Sequence, residues 1–513
     1  MPKRFCLSAL FGLVPFLVLA HTAVLFEAPA QKDAFFQDLS HAIPSLLEQW
    51  HIPGLAVAVV YDGQVLFEQG FGVKKTGGSN PVTPSTLFQI GSTSKAFTSF
   101  LLARLEDQGL LGWHQRVQQI VPAFTLKDTC AGAAFQVQDL PAQHSGMYPY
   151  DGDYLAFLGY GPEKILQSTS ELETQSSFRT TFSYVNTLFV VAGYVAENVT
   201  GMPLKELYAQ EVFTPLQLSH TYAGPEQIPD LEQLAYPHWL QAEVLQIDDP
   251  FAPTGRWIAT YLPAGGLYSN VQDLSRWLGF WLQSGEPESN QALSEQNRKK
   301  LLTPQTHIMG GANDPLYFYC LGWLLEQLDG EALFWHNGET VGSHAFVGFS
   351  PSSGLGVAIL SNRGGQDFPD RLGMGILKAV LGLAPSHFWE KLSPLGPEEA
   401  EDQPTPTHYL PPLELEAYTG LFYHPLFGQM CIRQADDRLV ATMGPLSFAL
   451  PMRHTNRDSF SLVFHPFFED FATATFLVDS WGQANAFVLD FNEGSTDFFF
   501  ERLAEEPPQT PIE

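Results

Sequence analysis

The pattern of hydrophobic and polar positions predicts that the first part of the chain forms one α/β domain. Apolar residues recur at helical spacing over 31–49, and the runs 55–60 and 65–73 flank a turn as two strands of a hairpin. Helices are predicted at 92–108, 187–198 and 271–282. Strands follow at 317–325, 333–335, 344–349 and 356–361, and a closing helix at 372–383. Strands at both ends with helices between them predict an antiparallel sheet that is built from both ends of the segment and flanked by helices.

The pattern changes after residue 385. Residues 386–412 are rich in Pro and Glu, which predicts a linker. Short β-type runs separated by turns follow at 428–434, 438–443, 446–452, 458–464, 472–478, 485–491 and 496–502. This spacing predicts a small all-β barrel or sandwich over 413–503, with a tail over 504–513. Its sequence carries no catalytic constellation, so binding, assembly and plain packing are all open roles for it.

The N-terminus has the pattern of an export signal. Lys3 and Arg4 precede an uncharged, largely apolar run over 5–20. We expect cleavage after Ala20 or Ala30 within a signal segment over 1–30, and hence a secreted or periplasmic protein. The alternative is a retained membrane anchor over 5–26, which a proline and a histidine inside that stretch weaken.

Charge and cysteine usage exclude several partners. The formal net charge of -29 argues against nucleic acid and against anionic membrane surfaces. The 4 cysteines form no Cys-x-x-Cys pair and no metal-type spacing with histidine. We therefore expect no metal and no cofactor, a small-molecule or short-peptide substrate, and contact with a membrane only through a retained N-terminal segment. The sequence leaves open whether the chain forms a homo-oligomer.

A serine and a lysine at the start of a predicted helix are the first candidate for chemistry. Ser92 and Lys95 are three residues apart, so they share one face of a helix, and the chain has no other Ser-x-x-Lys. A serine hydroxyl needs a neighbouring base, and a lysine can act as one when burial lowers its pKa. Taken alone, the pair is as well explained by a helix start with a surface lysine.

Two further motifs supply what such a nucleophile needs. Tyr184 and Asn186 offer a phenol and an amide two residues apart; the phenol could exchange protons with Ser92, its pKa lowered by Lys95. The run 268–270 fits the same Tyr-x-Asn pattern, but a turn and helix cap explain it equally. His336 could donate to a substrate or oxyanion from a strand, and its rival His144 lies in a loop.

The order of these three motifs resembles the serine β-lactamase and penicillin-binding-protein-like hydrolases, in the branch with class C β-lactamases, D-aminopeptidases and esterases. The resemblance covers roughly 31–385, and residues 413–503 look like the lipocalin-like C-terminal domain of related serine peptidases that process D-amino-acid peptides. It implies a β-lactamase/transpeptidase-like fold and favours Tyr184 and His336 over their rivals.

The resemblance also implies a role for each site residue. Ser92 forms an acyl-enzyme, Lys95 and Tyr184 share the proton transfers, and Asn186 contacts the substrate. The backbone N–H groups of Ser92 and of Glu339, which follows Gly338, are implied to form the oxyanion hole.

One departure from the family separates the candidate activities. Class C β-lactamases carry Lys-Thr-Gly where this chain has His336-Asn337-Gly338, and a histidine, mostly neutral at neutral pH, binds a lactam carboxylate less well. We therefore expect a peptidase, D-aminopeptidase or carboxylesterase. The alternatives are a class C-like β-lactamase and a catalytically weak protein that binds cell-wall or lipid ligands. No Gly-x-Ser-x-Gly or His-Glu-x-x-His motif occurs.

Overall fold

The computed structural model describes residues 29–252, 257–283, 291–310, 314–394, 412–464, 471–491 and 495–503. Residues 1–28 of the predicted signal segment 1–30, which include the whole anchor alternative 5–26, and the predicted tail over 504–513 lie outside these ranges. Among the described residues, no helix is both long and apolar enough to cross a bilayer.

The first domain is built on an eight-stranded antiparallel sheet, as predicted. Its strand order is β2-β1-β12-β11-β10-β9-β8-β7, and two short ribbons pair β3 with β6 and β4 with β5. The strands are β1 Gly54–Tyr61, β2 Gln64–Gly72, β3 Phe88–Gln89, β4 His238–Gln241, β5 Val244–Ile247, β6 Tyr268–Ser269, β7 Thr306–Met309, β8 Leu316–Tyr319, β9 Leu324–Leu328, β10 Glu331–Glu339, β11 His344–Ser350 and β12 Leu355–Ser361. Because β1 pairs with β12, from Leu55 with Ser361 to Tyr61 with Leu355, the sheet joins both ends of the domain.

Helices cover both faces of the sheet. They are α1 Pro29–Gln49, α2 Ser94–Asp107, α3 Val117–Ile120, α4 Thr129–Ala134, α5 Asp153–Phe157, α6 Pro162–Ser168, α7 Asn186–Thr200, α8 Leu204–Leu207, α9 Trp257–Thr260, α10 Leu262–Gly265, α11 Val271–Trp281, α12 Glu295–Leu301 and α13 Phe368–Val380. Alternate residues of β1 point into two cores: Val57 packs with α1 and α13, and Ala58 packs with α2 and α11. Burial on both faces explains why β1 is a continuous apolar run.

The predicted strand 317–325 is two strands, β8 and β9. Gly322 lies between them with a φ of +85°, and a Cβ there would lie 2.8 Å from Ser99 Oγ and 2.9 Å from the carbonyl oxygen of Lys95. The chain therefore turns where it packs against α2. The uninterrupted apolar spacing concealed this turn because both strands are hydrophobic.

The C-terminal part is a closed barrel of eight antiparallel strands, as the β-rich pattern indicated. Its strands are β13 Gly420–His424, β14 Gly428–Ala435, β15 Arg438–Met443, β16 Phe448–Asn456, β17 Ser459–Leu462, β18 Ala472–Val478, β19 Ala484–Asp490 and β20 Phe498–Arg502. The strand β13, which closes the barrel between β14 and β20, was not predicted from the sequence. Buried aromatic rings fill the interior; those of Phe487 and Phe500 stack 4.7 Å apart.

The first residues of the predicted linker 386–412 pack on the first domain. Trp389 lies 5.1 Å from the ring of Phe35, and Trp50 Nε1 donates a hydrogen bond to the carbonyl oxygen of Leu392 at 2.6 Å. Residues 386–394 therefore belong to the first domain, because they complete the core around α1. Residues 395–411 lie outside the described ranges.

Candidate active site

Ser92 and Lys95 are joined by a hydrogen bond at the N-terminal end of α2. A 3₁₀ turn over Gly91–Thr93 leads into α2, whose residues are buried on nearly every side. Lys95 Nζ donates to Ser92 Oγ at 2.9 Å and to the carbonyl oxygen of Ala264 at 2.9 Å. It also lies 4.7 Å from the ring centroid of Tyr184. Burial lowers the pKa of Lys95 to about 7, although the charge of Asp153 opposes this shift.

Tyr184 reaches Ser92 from a loop that Gln143 holds in place. The backbone N–H of Val185 donates to Gln143 Oε1 at 2.7 Å, and the N–H of Ser183 donates to the carbonyl oxygen of Gln143 at 3.0 Å. The phenol is hydrogen-bonded to Ser92, but burial raises the pKa of Tyr184 well above its usual value. The expectation that this pKa is lowered was wrong, because desolvation by burial dominates and raises it. Tyr184 therefore stays protonated at neutral pH.

Asn186 lies beside an acidic residue that the motifs did not indicate. Its Nδ2 donates to Asp153 Oδ2 at 2.6 Å, and both side chains line the same cavity. Burial raises the pKa of Asp153 to about 7, while the hydrogen bond from Asn186 and the charge of Lys95 act in the opposite direction.

His336 lines the cavity from β10 as a neutral imidazole. Burial, followed by the charge of Lys95, lowers its pKa to about 3. Its Nδ1 lies 2.6 Å from the carbonyl oxygen of Asn337, and its Nε2 lies 3.1 Å from the hydroxyl of Tyr319. A carbonyl can only accept, so Nδ1 carries the hydrogen and Nε2 accepts from Tyr319. Donation to a substrate, as expected from the sequence, would require His336 to exchange one of these partners.

Two glycines let the strand β10 approach the nucleophile. A Cβ on Gly338 would overlap the carbonyl oxygen of Ile90 and lie 2.9 Å from the nitrogen of Ser92. Gly91 has a φ of +50°, and a Cβ there would lie 2.8 Å from the nitrogen of Glu339. The backbone amides of Ser92 and Glu339 are thus on facing segments, at the place expected for the oxyanion hole.

The predicted residues Ser92, Tyr184, Asn186, His336 and Glu339 line one cavity of about 410 Å³. Its remaining lining residues are Tyr150, Asp153, Phe157, Phe182, Trp257, Ile258, Tyr261, Ala264, Gly265, Ile308, Leu324 and Asn337. Six of the 17 lining residues are Phe, Tyr or Trp, and the described lining contains no arginine or lysine. Lys95 does not line the cavity itself but contacts two lining residues, Ser92 and Tyr184.

The two rival motifs lie elsewhere and have structural partners. His144 Nε2 is 2.9 Å from Oδ1 of the buried Asp139, which also forms an ion pair with the exposed Arg179. The hydroxyl of Tyr268 accepts from Gln89 Nε2 at 2.6 Å, and Asn270 caps α11 through the N–H of Asp273.

Sequence reasoning missed Asp153, Tyr319 and the aromatic walls. None of these residues belongs to a short motif, and they come from separate loops and strands that only the tertiary structure brings together. Within the described ranges, no group of three or more His, Cys, Asp or Glu side chains is placed to bind a metal ion.

The family model of the beta-lactamases matches residues 39–380, about two thirds of the chain. The chain belongs to the beta-lactamase family. Residues 404–506, which include the barrel, match a second model, a domain of unknown function (DUF3471).

Several named relatives align over most of this beta-lactamase family member. Unguisins hydrolase ungD′ of Aspergillus campestris is 26% identical over 79% of each chain, and unguisins hydrolase ungD of Aspergillus violaceofuscus is 26% identical over 83% of this chain and 82% of its own. Penicillin-binding protein 4 of Amycolatopsis lactamdurans is 27% identical over 62% of this chain and 83% of its own.

A solved structure described as the octameric penicillin-binding protein homologue from Pyrococcus abyssi shares the fold. It aligns with a TM-score of 0.61 at 21% identity and covers 91% of this chain and 99% of that chain. The match therefore extends across both domains.

Proposed function

We propose that the chain is a serine hydrolase that cleaves an amide or ester through an acyl-enzyme on Ser92. The observation that carries this proposal is the 2.9 Å hydrogen bond between Lys95 Nζ and Ser92 Oγ, with a lysine whose pKa burial lowers to about 7. At neutral pH a substantial fraction of Lys95 is then unprotonated, so it can accept the proton of Ser92.

The proposed reaction begins with attack by Ser92 and passes through an acyl-enzyme. Ser92 Oγ bonds to the substrate carbonyl carbon as its proton passes to Lys95 Nζ, and the N–H groups of Ser92 and Glu339 face the oxyanion. The oxyanion collapses, the bond to the leaving amine or alcohol breaks, and Lys95 returns the proton to that group through the phenol of Tyr184. Water then attacks the acyl carbon and loses its proton to the same base. The bond between the acyl carbon and Ser92 Oγ breaks, the base returns the proton to Oγ, and the acid product leaves.

The lining of the cavity favours a peptidase or esterase over a β-lactamase. A lactam substrate carries a carboxylate, but the described lining offers no arginine or lysine and instead includes two acidic residues, Asp153 and Glu339. The aromatic walls suit an apolar acyl or amino-acid side chain. The names of two relatives, both hydrolases of unguisins, support a hydrolytic role.

An activity-based probe tests the nucleophile. We expect a fluorophosphonate to label the purified chain on Ser92, as located by intact mass and peptide mapping, and not to label Ser92→Ala. Ser94→Ala is the matched control, since Ser94 is the neighbouring buried serine and bonds to the N–H of Leu267 instead. A folded chain without an adduct would contradict the proposal and favour the ligand-binding alternative.

A substrate panel separates the candidate activities. Esters, D-aminoacyl amides and a chromogenic cephalosporin are compared by kcat/KM with wild type and Ser92→Ala. We expect turnover of neutral amides or esters to exceed that of the cephalosporin by at least about tenfold, because the lactam carboxylate finds no cation. Preferred turnover of the cephalosporin would establish the β-lactamase alternative instead.

We also propose that the chain is exported. The charged start and the apolar run over 5–20 support this, and cleavage after Ala20 would leave α1 intact. The N-terminus of protein recovered outside the producing cytoplasm is expected to begin at residue 21 or 31. Retention of residues 5–26 in the membrane fraction would support the anchor alternative.

A further inference from the structure

Asp153 determines which way the amide of Asn186 faces. It begins α5 and accepts the 2.6 Å hydrogen bond from Asn186 Nδ2. A carboxylate accepts hydrogen bonds, so it selects the amide nitrogen and directs Asn186 Oδ1 away from itself. That Oδ1 is buried and has no hydrogen-bond partner in the protein, so it is available to a substrate N–H.

Asp153 also acts on the charge of Lys95. Each of the two groups favours the charged form of the other. The other titratable groups that face this pair are Tyr184 and His336 on the side of Lys95, and Asp151, Tyr150 and Tyr261 on the side of Asp153. The phenols among them stay neutral because burial raises the pKa values of Tyr150, Tyr184 and Tyr261.

The barrel holds the segment that carries Asp153. We call residues 150–160 the wall segment. Two residues before Asp153, the buried carboxylate of Asp151 accepts from the hydroxyl of Thr496 in the barrel at 2.5 Å and from that of Tyr154 at 2.9 Å. The ring of Tyr154 in turn stacks on Phe491 at 3.8 Å.

Further contacts continue along the wall segment. Phe157, which lines the cavity, lies 5.9 Å from the ring of Phe464, and the hydroxyl of Tyr160 donates to the carbonyl oxygen of Phe427. The first domain also contacts the segment, through the N–H of Tyr150 and the hydroxyl of Thr187 at its start and through Trp257, whose ring lies 4.6 Å from that of Phe157. The hydroxyl of Thr260 donates to the carbonyl oxygen of Tyr160 at 3.4 Å, so both domains hold the wall segment.

We propose that Asp153 is a positioning residue for acylation that orients Asn186 in the active site, and that the barrel keeps Asp153 in place through Thr496. This inference rests on the proposed function and adds to it a residue and a role for the second domain. It assigns to the barrel a part in building the active site rather than a separate ligand.

Substitutions of Asp153 separate its charge from its position. Asp153→Asn keeps an oxygen for Asn186 Nδ2 but removes the charge, so the pH midpoint of fluorophosphonate labelling is expected to fall by on the order of one unit. Asp153→Ala removes both, and the plateau labelling rate is expected to fall at least about tenfold as well. Midpoint and plateau unchanged in both variants would overturn the proposal.

Thr496 tests the part played by the barrel. Thr496→Val is expected to lower the plateau labelling rate about threefold or more, while Thr496→Ser, which keeps the hydroxyl, is expected to restore it. Thr473→Val makes the same change at an exposed position of β18 and is expected to label like wild type. Equal rates for Thr496→Val and Thr473→Val would overturn the role of the barrel, and so would loss of labelling in Thr496→Ser alone.

The proposed function fails separately from this inference. If the wild-type protein is not labelled at all, the proposal that it is a serine hydrolase is wrong. If wild type is labelled and the Asp153 and Thr496 variants match it, only the positioning role is wrong.

Discussion

At the scale of single residues, the site depends on a lysine that folding holds in an unfavourable place. Burial moves the pKa of Lys95 from 10.5 to about 7. Between these values the unfolded chain binds a proton at this lysine and the folded chain does not, so the group lowers stability at neutral pH. This cost is absent above the unfolded pKa, and it reaches its full size below about pH 7. The nucleophile is thus activated at the expense of stability.

Replacing Lys95 tests both its contribution to activity and its cost in stability. Lys95→Met is expected to reduce Ser92 labelling by on the order of 10²–10⁴-fold, because the general base is lost. It is also expected to raise Tm at pH 7 by about 2–4 °C, because a desolvated amine becomes a thioether of similar length. Labelling kinetics and calorimetry measure the two effects. Lys32→Met, at a partly exposed position of α1, is the control, and a fall in Tm for Lys95→Met would contradict the account.

The pH dependence of acylation follows from the same residue. Neutral Lys95 accepts the proton, so kcat/KM is expected to rise with pH through about 7 and then level off. His336, with a pKa lowered to about 3, contributes no step between pH 5 and 9. A profile that falls with rising pH across neutrality would show that the protonated form of the titrating group is the active one.

At the scale of elements, the site forms where β10 meets the turn that begins α2. Ser92 and Lys95 face one direction because the 3₁₀ turn runs directly into the helix. β10 supplies both His336 and the N–H of Glu339 to the site, and Gly338 lets this strand approach the turn that carries Ser92. The oxyanion donors therefore depend on the distance between two elements that are far apart in the chain.

Gly338→Ala tests this approach. The new Cβ would overlap the carbonyl oxygen of Ile90, so β10 must move away from Ser92. Loss of one oxyanion donor costs about 2.7–4 kcal/mol, so labelling is expected to slow by about 10²–10³-fold. Gly112→Ala is the control, because a Cβ there meets no atom within 4 Å. Circular dichroism checks the fold, and a folded Gly338→Ala with wild-type kinetics would contradict the assignment.

At the scale of the whole molecule, the barrel and the first domain share one hydrophobic core. Buried residues of both, from α2 and α7 to β13 and β20, belong to a single contiguous cluster. The barrel interior is filled by its own aromatic rings, which argues against a ligand inside it and favours a structural role. Cooperative unfolding of the two domains is the expected consequence.

Two phenylalanines of the barrel test this coupling. Phe491 is 1% exposed and stacks on Tyr154 of the wall segment, whereas Phe499 is 48% exposed. Phe491→Ala is expected to lower the free energy of unfolding by about 3–5 kcal/mol and to slow labelling, and Phe499→Ala to change either little. Denaturant unfolding followed by fluorescence measures the difference. Similar effects of the two changes would contradict a shared core.

The sequence by itself determined the elements and the local part of the site. Helical and strand periodicity located α1, α2, α7, α11, β1, β2, β11, β12 and seven of the barrel strands, because each buries a regular stripe or face. The Ser92 and Lys95 pair was predictable because a helix places residues i and i+3 on one side. Strands at both ends of the domain also predicted a sheet built from both ends, although not which strands pair.

Only the tertiary structure decided the rest, because burial and distant contacts set it. The pKa values of Lys95, Tyr184 and His336 depend on desolvation by surrounding elements, which reversed the expected direction for Tyr184. Asp153 enters the site through the fold of the wall segment, which rests on a barrel more than three hundred residues further along the chain. No local pattern records a contact between residues so far apart in sequence.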